Sequence, residues 1–343
     1  MSSLELGVIG NETVAALIDE RATINWLCLP RLDGEPVFNS LLGGCGDFTV
    51  EISGYKTSSQ EYIRNTAILV TILEAEDGSA VKVTDFAPRF VNRGRMFRPA
   101  SVVRYIEPLR GMPQVRIAIS AEAECGGREL RGKRGVSHVS YPDEEFGFRI
   151  TTSAPVSYVL DKRMFVLDQP VCFVLGPDEP FSGDVNTISQ EWYTRTKDHW
   201  QDWSRRLATP PEWQEAVIRA AITLKLCVYE ETGGIVAALT TSIPEHAGSE
   251  RNWDYRYCWL RDAYFTVTAL NRLSAVGTLE RYLTYLRNTV AHTQGGHIQP
   301  VFGVALETDL TETIPGHLPG YRGHGPVRFG NQAAEHIQHD VYG

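Results

Sequence analysis

Residues 252 to 262 read Asn-Trp-Asp-Tyr-Arg-Tyr-Cys-Trp-Leu-Arg-Asp, placing two tryptophans, two tyrosines, two arginines and two aspartates in eleven positions. Aromatic faces take up the apolar faces of sugar rings, and planar Arg forks and carboxylates fix hydroxyl groups in set directions. The run follows a loop signal at Pro244 to Ser249 and leads into an apolar-periodic segment. That order predicts a binding surface displayed at the mouth of a helix. A second reading stays open on composition alone: a solvated loop whose aromatics fill a seam between domains.

Other constellations carry less chemistry. His336, His339 and Asp340 put two imidazoles and a carboxylate close together, as half a zinc site would. No further ligand cluster lies near them, so no metal and no cofactor is expected, and a polar helix face is the simpler reading. Gly43-Gly44-Cys45-Gly46 and Gly295-Gly296 read as turns, because no Lys-Ser/Thr follows to make a phosphate cradle. The six cysteines contain no C-x-x-C pair and read as thiols of a reducing compartment, the cytoplasm. A formal net charge of −9 disfavours nucleic acid and anionic membranes as partners and suits a small neutral substrate. No apolar run approaches the ~18 residues of a membrane span.

The elements that must position these residues change character along the chain. Short runs rich in β-branched and aromatic residues recur through about residue 190. They are Phe48 to Ile52, Ala67 to Leu73, Val81 to Phe86, Ser101 to Ile106, Val115 to Ser120, Phe146 to Thr152 and Val171 to Leu175. Glu76-Asp77-Gly78-Ser79 reads as a hairpin turn. Many short antiparallel strands predict two sheets packed face to face, with no parallel sheet. Helices are expected from there onward: a linker helix over 188–207, a helix from Trp213 to about Glu231 capped at Thr209 and ended by Gly233-Gly234, then Asp262 to about Leu273, Leu279 to about His292, and Asn331 to Tyr342.

Arg251 to Ala263, reading R-N-W-D-Y-R-Y-C-W-L-R-D-A, resembles the signature of glycoside hydrolase family 15, the glucoamylases and bacterial trehalases. Ile9-Gly10-Asn11 with Ile24 to Asp33, and Gly320 to Asn331, resemble the same enzymes. The resemblance implies a trehalase-like N-terminal antiparallel β-sandwich over 1–187, a helical linker over 188–210, and over 211–343 the N-terminal part of an (α/α)6 barrel. It further implies hydrolysis of a terminal α-glucosidic bond in trehalose or a maltooligosaccharide, with inversion. Arg261 and Asp262 match the pair that grips glucose hydroxyls, and Tyr255 and Trp259 match aromatic walls of that site. Tyr321, Arg322 and Arg328 fall on a loop resembling a further wall, with a plain surface loop as the alternative. Asp33 and Asp85 are expected to serve turn geometry and domain docking.

An inverting glycosidase needs an acid and a base, two carboxyl groups about 6.5–9.5 Å apart. In the family the acid lies on a downstream Trp-Glu segment. Glu280, Glu307, Glu312 and Glu335 are the glutamates after Asp262, and none has that context. Both carboxylates are therefore expected beyond residue 343, with the sequence truncated inside the barrel. Two alternatives remain: a non-catalytic sugar-binding remnant, and a disaccharide phosphorylase, against which the Arg251–Ala263 run argues.

Overall fold

The computed structural model describes residues 4–144, 146–292 and 298–342. The chain divides into two compact units, Met1–Asp202 and Trp203–Gly343.

In the first unit two eight-stranded sheets form, and every strand pair among the described residues is antiparallel. One sheet runs Gly7–Gly10, Ala15–Ile18, Ile24–Leu29, Asp47–Ile52, Gln114–Ala123, Arg128–Leu130, with Glu35–Phe38 and Met164–Val166 paired at its flanks. The other runs Lys133–Arg134, His138–Tyr141, Phe148–Thr152, Val171–Pro177, Val102–Arg110, Ala80–Phe86, Leu69–Ala75, Tyr55–Tyr62. Alternation decides which residues meet. Val81 and Val83 from one sheet join Val50, Ile117 and Leu27 from the other in a single apolar core. The Phe48 and Phe173 rings meet edge-on across it, with centroids 5.5 Å apart.

That core also holds a charge. Arg104 donates to both carboxylate oxygens of Asp85 at 2.7 and 3.0 Å and to the carbonyl of Phe48, on the opposite sheet, at 2.8 Å. Asp85 thus lies within a strand and fully buried, correcting its expected place at a turn or docking surface. Asp33 does sit in a turn, accepting from Arg31 at 2.9 Å. The Asp77-Gly78 turn joins Leu69–Ala75 to Ala80–Phe86, with Gly78 at φ 83° and Asp77 accepting from the Ser79 amide.

Helices are few. Helix α1 is a single turn, Val156–Leu160, inside the β unit. Helix α2, Val185–Arg205, starts where the Asp184 carboxylate accepts from the Thr187 amide and hydroxyl, each at 2.8 Å. In the second unit follow α3, Gln214–Leu226, α4, Leu260–Arg272, and α5, Val276–His292. Ala263 and Val267 of α4 pack with Tyr282 and Tyr285 of α5, and Cys258 and Phe302 complete that core.

Three expectations need correction here. Helix α3 begins after Trp213, which takes a left-handed φ of 61° as N-cap, so Thr209 caps nothing there. Pro211 biases the residue before it toward extended backbone and delays the helix. The helix also ends at Leu226, not near Glu231. Residues 228–235 turn back as a tight hairpin, with Val228 bridged to Ile235 and Tyr229 bonded to Gly234, and Gly233 at φ 90° serves that turn. The stretch 331–342 forms two 3-10 turns, Gln332–Glu335 and His339–Tyr342, because His336 is extended between them. A short antiparallel pair, Cys258–Trp259 with Val301–Phe302, also interrupts the helical region. Gly295 and Gly296 lie outside the described residues.

Candidate active site

The aromatic-rich run is an extended arm that ends in a helix. Its carbonyls at Trp253, Tyr255 and Tyr257 accept from the amides of Ser242, Ala238 and Ala237 at 2.9–3.0 Å. In extended chain successive side chains point to opposite faces. Accordingly Asn252, Asp254, Arg256 and Cys258 are buried, while Trp253, Tyr255 and Tyr257 between them are partly open.

The buried face is a scaffold. Arg256 grips Asp254 through two bonds of 2.9 and 2.7 Å, with both side chains almost wholly out of water. The Asn331 amide donates to the Asp254 carbonyl at 3.0 Å, and the Asn252 amide donates to the carbonyls of His324 and Pro326 at 2.9 and 3.1 Å. These bonds tie the arm to the 320–331 loop. Motif position alone does not distinguish these structural ions from Arg261 and Asp262, the pair expected to bind. The signal available was their spacing of two, which puts Asp254 and Arg256 on one face only if the chain is extended.

Of the residues expected to bind sugar, Tyr255 lies on the partly open face, Trp259 is largely buried, and Arg261 and Asp262 follow on α4. Tyr255 lies against Trp259, with ring centroids 5.6 Å apart and tilted by 47°. Trp259 is largely buried, packed with Val301 and Leu310, so only part of its ring is available as a wall. Burial raises the Tyr255 phenol above its ordinary range, and the nearby charges of Glu245 and Asp262 push in the same direction, against Arg251. Arg251 itself is held by Glu245 at 2.8 Å. Arg261 and Asp262 occupy the first turn of α4, half-exposed, with guanidinium and carboxylate 3.4 Å apart. An acid in that turn is favoured by the helix dipole. Asp262 can accept from a ligand hydroxyl and Arg261 can donate to one. Tyr264 and Phe265, exposed on the same helix and in edge-on contact at 5.5 Å, were not singled out from sequence.

The loop residues divide. The Arg328 guanidinium lies over the Trp253 ring at 5.3 Å and bonds Glu312 at 2.5 Å, while its amide donates to the Ser242 hydroxyl. Tyr321 is buried, and the exposed Arg322 lies over its ring at 5.1 Å with a left-handed φ of 54°. Among the described residues no group of three or more His, Cys, Asp or Glu is positioned to hold a metal, and the Asp340 side chain lies outside them. The six cysteines stand as free thiols. Burial pushes the Cys258 thiol up to about 11, so it is not a ready nucleophile. No helix among the described residues is long and apolar enough to cross a membrane.

Comparison with known proteins follows the same division of the chain. Residues 4–129 match the trehalase-like N-terminal model, and residues 212–343 match that of the glycosyl hydrolases family 15. A trehalase of Thermoplasma volcanium is 28% identical over 98% of this chain and 55% of its own length. A trehalase of Mycolicibacterium smegmatis is 26% identical over 99% of this chain and 55% of its own. One of Mycobacterium tuberculosis is 27% identical over 95% and 52%. The chain therefore spans about half the length of these relatives. The arm and its α4 continuation lie inside the segment that matches the glycosyl hydrolases family 15, and the match to the trehalase-like N-terminal model precedes it in sequence.

Proposed function

We propose that this chain contributes the glucose-holding part of an α-glucoside hydrolase of trehalase type. The observation that supports it is the Tyr255–Trp259 aromatic pair set beside the exposed Arg261–Asp262 pair at the start of α4. A sugar ring laid on Tyr255 would meet Asp262 as acceptor and Arg261 as donor. Charge-assisted bonds of this kind contribute about 1.5–3 kcal/mol each. Tyr321, Arg322 and Arg328 extend the same wall. Trehalose is favoured over maltooligosaccharides because the relatives are named trehalases. Residues 211–343 are proposed as part of an (α/α)6 barrel, 188–210 as its linker and 1–187 as the accompanying β domain, in a cytoplasmic protein.

The reaction proposed is inversion by a carboxylic acid that protonates the leaving oxygen and a carboxylate that activates water. Neither role is assigned to a residue here. Glu312 is engaged by Arg328, and Glu307 accepts from the Ala305 amide at 3.0 Å, closing its own turn. The acid and base are proposed to lie outside these 343 residues. The same engagement of carboxylates favours a second reading, a chain that binds sugar without hydrolysing it.

Calorimetric titration with trehalose, together with a glucose-release assay, tests both parts. The 343-residue chain should bind trehalose yet release no glucose. Asp262→Ala should weaken binding by about 10- to 150-fold, the equivalent of one charge-assisted bond. Unchanged affinity in that variant would remove the assigned role, and glucose release by the purified chain would require carboxyl groups within these 343 residues to be catalytic.

A further inference from the structure

A cleft of about 310 Å³ opens on the outer face of the second sheet, beside helix α2 and wholly within the β unit. Strand alternation creates it. Val81, Val83 and Asp85 turn inward, so Lys82, Thr84 and Phe86 face outward beneath the helix. The neighbouring strand adds Tyr105 and Glu107, and α2 adds Gln190 and Tyr193. The volume falls within the ~300–1,000 Å³ typical of small-molecule sites.

Three features define what would fit. The lining is balanced in charge, because the Lys82 ammonium bonds Glu107 at 3.1 Å. Two phenol rings flank the space and are held in place. Tyr193 meets Phe86 edge-on at 5.9 Å with the Lys197 ammonium over its ring, and the Tyr105 hydroxyl accepts from Gln190 at 3.0 Å. Finally, Thr84 lines the cleft while only 4% exposed, so its hydroxyl is placed where a bound molecule would meet it. A hydroxyl lining a cleft offers a ligand's polar group one donor and two acceptor lone pairs.

We propose that this cleft binds a neutral polyhydroxylated ring, one hexose unit of a free sugar or of a glycan end. A ring face would lie on a tyrosine, while its hydroxyls bond Thr84, Gln190 and the Lys82–Glu107 pair. A flat apolar ligand would leave those polar groups unanswered, and an anion would face Glu107. The inference is independent of the glucose-holding arm.

Saturation-transfer NMR on the 343-residue chain tests it, with glucose, maltose and adenosine as probes at ~10 mM, ten times a ~1 mM dissociation constant. The Asp262→Ala background removes the contribution of the arm. In that background both sugars should still receive transfer, and adding Thr84→Val or Gln190→Ala should weaken binding at least about tenfold while thermal unfolding stays unchanged. Maltose alone gaining from a second unit would point to a glycan end, and equal affinities to a free sugar. Gln190→Ala changes an exposed helix position, so it reads the cleft even if Thr84→Val unfolds. No sugar transfer in Asp262→Ala, transfer indifferent to the cleft variants, or a preference for adenosine would each overturn the proposal.

Discussion

Removing the carboxylate of Asp254 should destabilise the second unit more than removing any charge on the open face of the arm. The Asp254 and Arg256 side chains are 0% and 2% exposed, and two short bonds join them. The Arg256 amide also donates to Asp254, at 3.1 Å. In Asp254→Ala the guanidinium stays buried over the Phe329 ring but loses both bonds to the Asp254 carboxylate. Breaking a buried pair from one side costs about 3–5 kcal/mol, a large share of a typical stability of about 5–15 kcal/mol. The double variant Asp254→Leu/Arg256→Met removes both buried charges together. It should recover at least about 2 kcal/mol relative to the single variant, since much of the penalty is desolvation. Urea unfolding followed by tryptophan fluorescence gives both values, and hydrogen exchange over residues 252–262 locates the loss. A single-variant loss below about 1 kcal/mol, or a double variant as unstable as the single, would refute the view of this pair as the arm's anchor.

Two smaller perturbations test neighbouring features. Gly330 sits at φ 83°, and a Cβ there would lie 2.2 Å from the Thr311 carbonyl oxygen; Gly330→Ala should cost at least about 1–2 kcal/mol in urea unfolding, and a neutral result would mean that the loop shifts freely. The Thr187 amide and then its hydroxyl hold the Asp184 carboxyl below its ordinary 3.8. A depressed pKa means that the cap's contribution is present above the unfolded value and is lost as pH falls through the folded one. Carbon-13 NMR should find the Asp184 midpoint below 3.8, and a midpoint at or above it would contradict the cap seen at the start of α2.

What was legible in the sequence followed from local pattern. Ala80–Phe86 alternates in residue type through Val81 to Asp85, and its turn is written in Asp77-Gly78, so strand and hairpin both follow from neighbours. Tyr55–Tyr62 was not legible. It is the last strand of its sheet, reads Tyr-Lys-Thr-Ser-Ser-Gln-Glu-Tyr, and has no strongly apolar face to announce it. Nor could pattern show that Asp47–Ile52 pairs with Gln114–Ala123, because that choice is made by the shared core. The overlong α3 has a similar cause. Val228 and Tyr229 continue the apolar spacing of the helix, yet both are buried by a hairpin instead. Apolar spacing reports that residues will be buried, and tertiary partners decide by which element. At the candidate site the residue types were readable, but the division of labour among them was not.

That division follows from the arm being extended. Two residues apart on a strand share a face, whereas two apart on a helix are turned roughly 200° from each other. Asp254 can reach Arg256 only in the extended form, and their pairing in turn fixes which side Tyr255 occupies. The alternation breaks at Trp259, where pairing of Cys258–Trp259 with Val301–Phe302 buries both residues. From Leu260 the chain is helical, and Arg261 and Asp262 emerge in its first turn. The conspicuous sequence of the arm therefore encodes two separable things. Substitutions at Asn252, Asp254 and Arg256 should act on stability first, with sugar affinity lost only as the arm loosens. Substitutions at Tyr255, Arg261 and Asp262 should act on affinity while leaving unfolding nearly unchanged, because those side chains stay in contact with water.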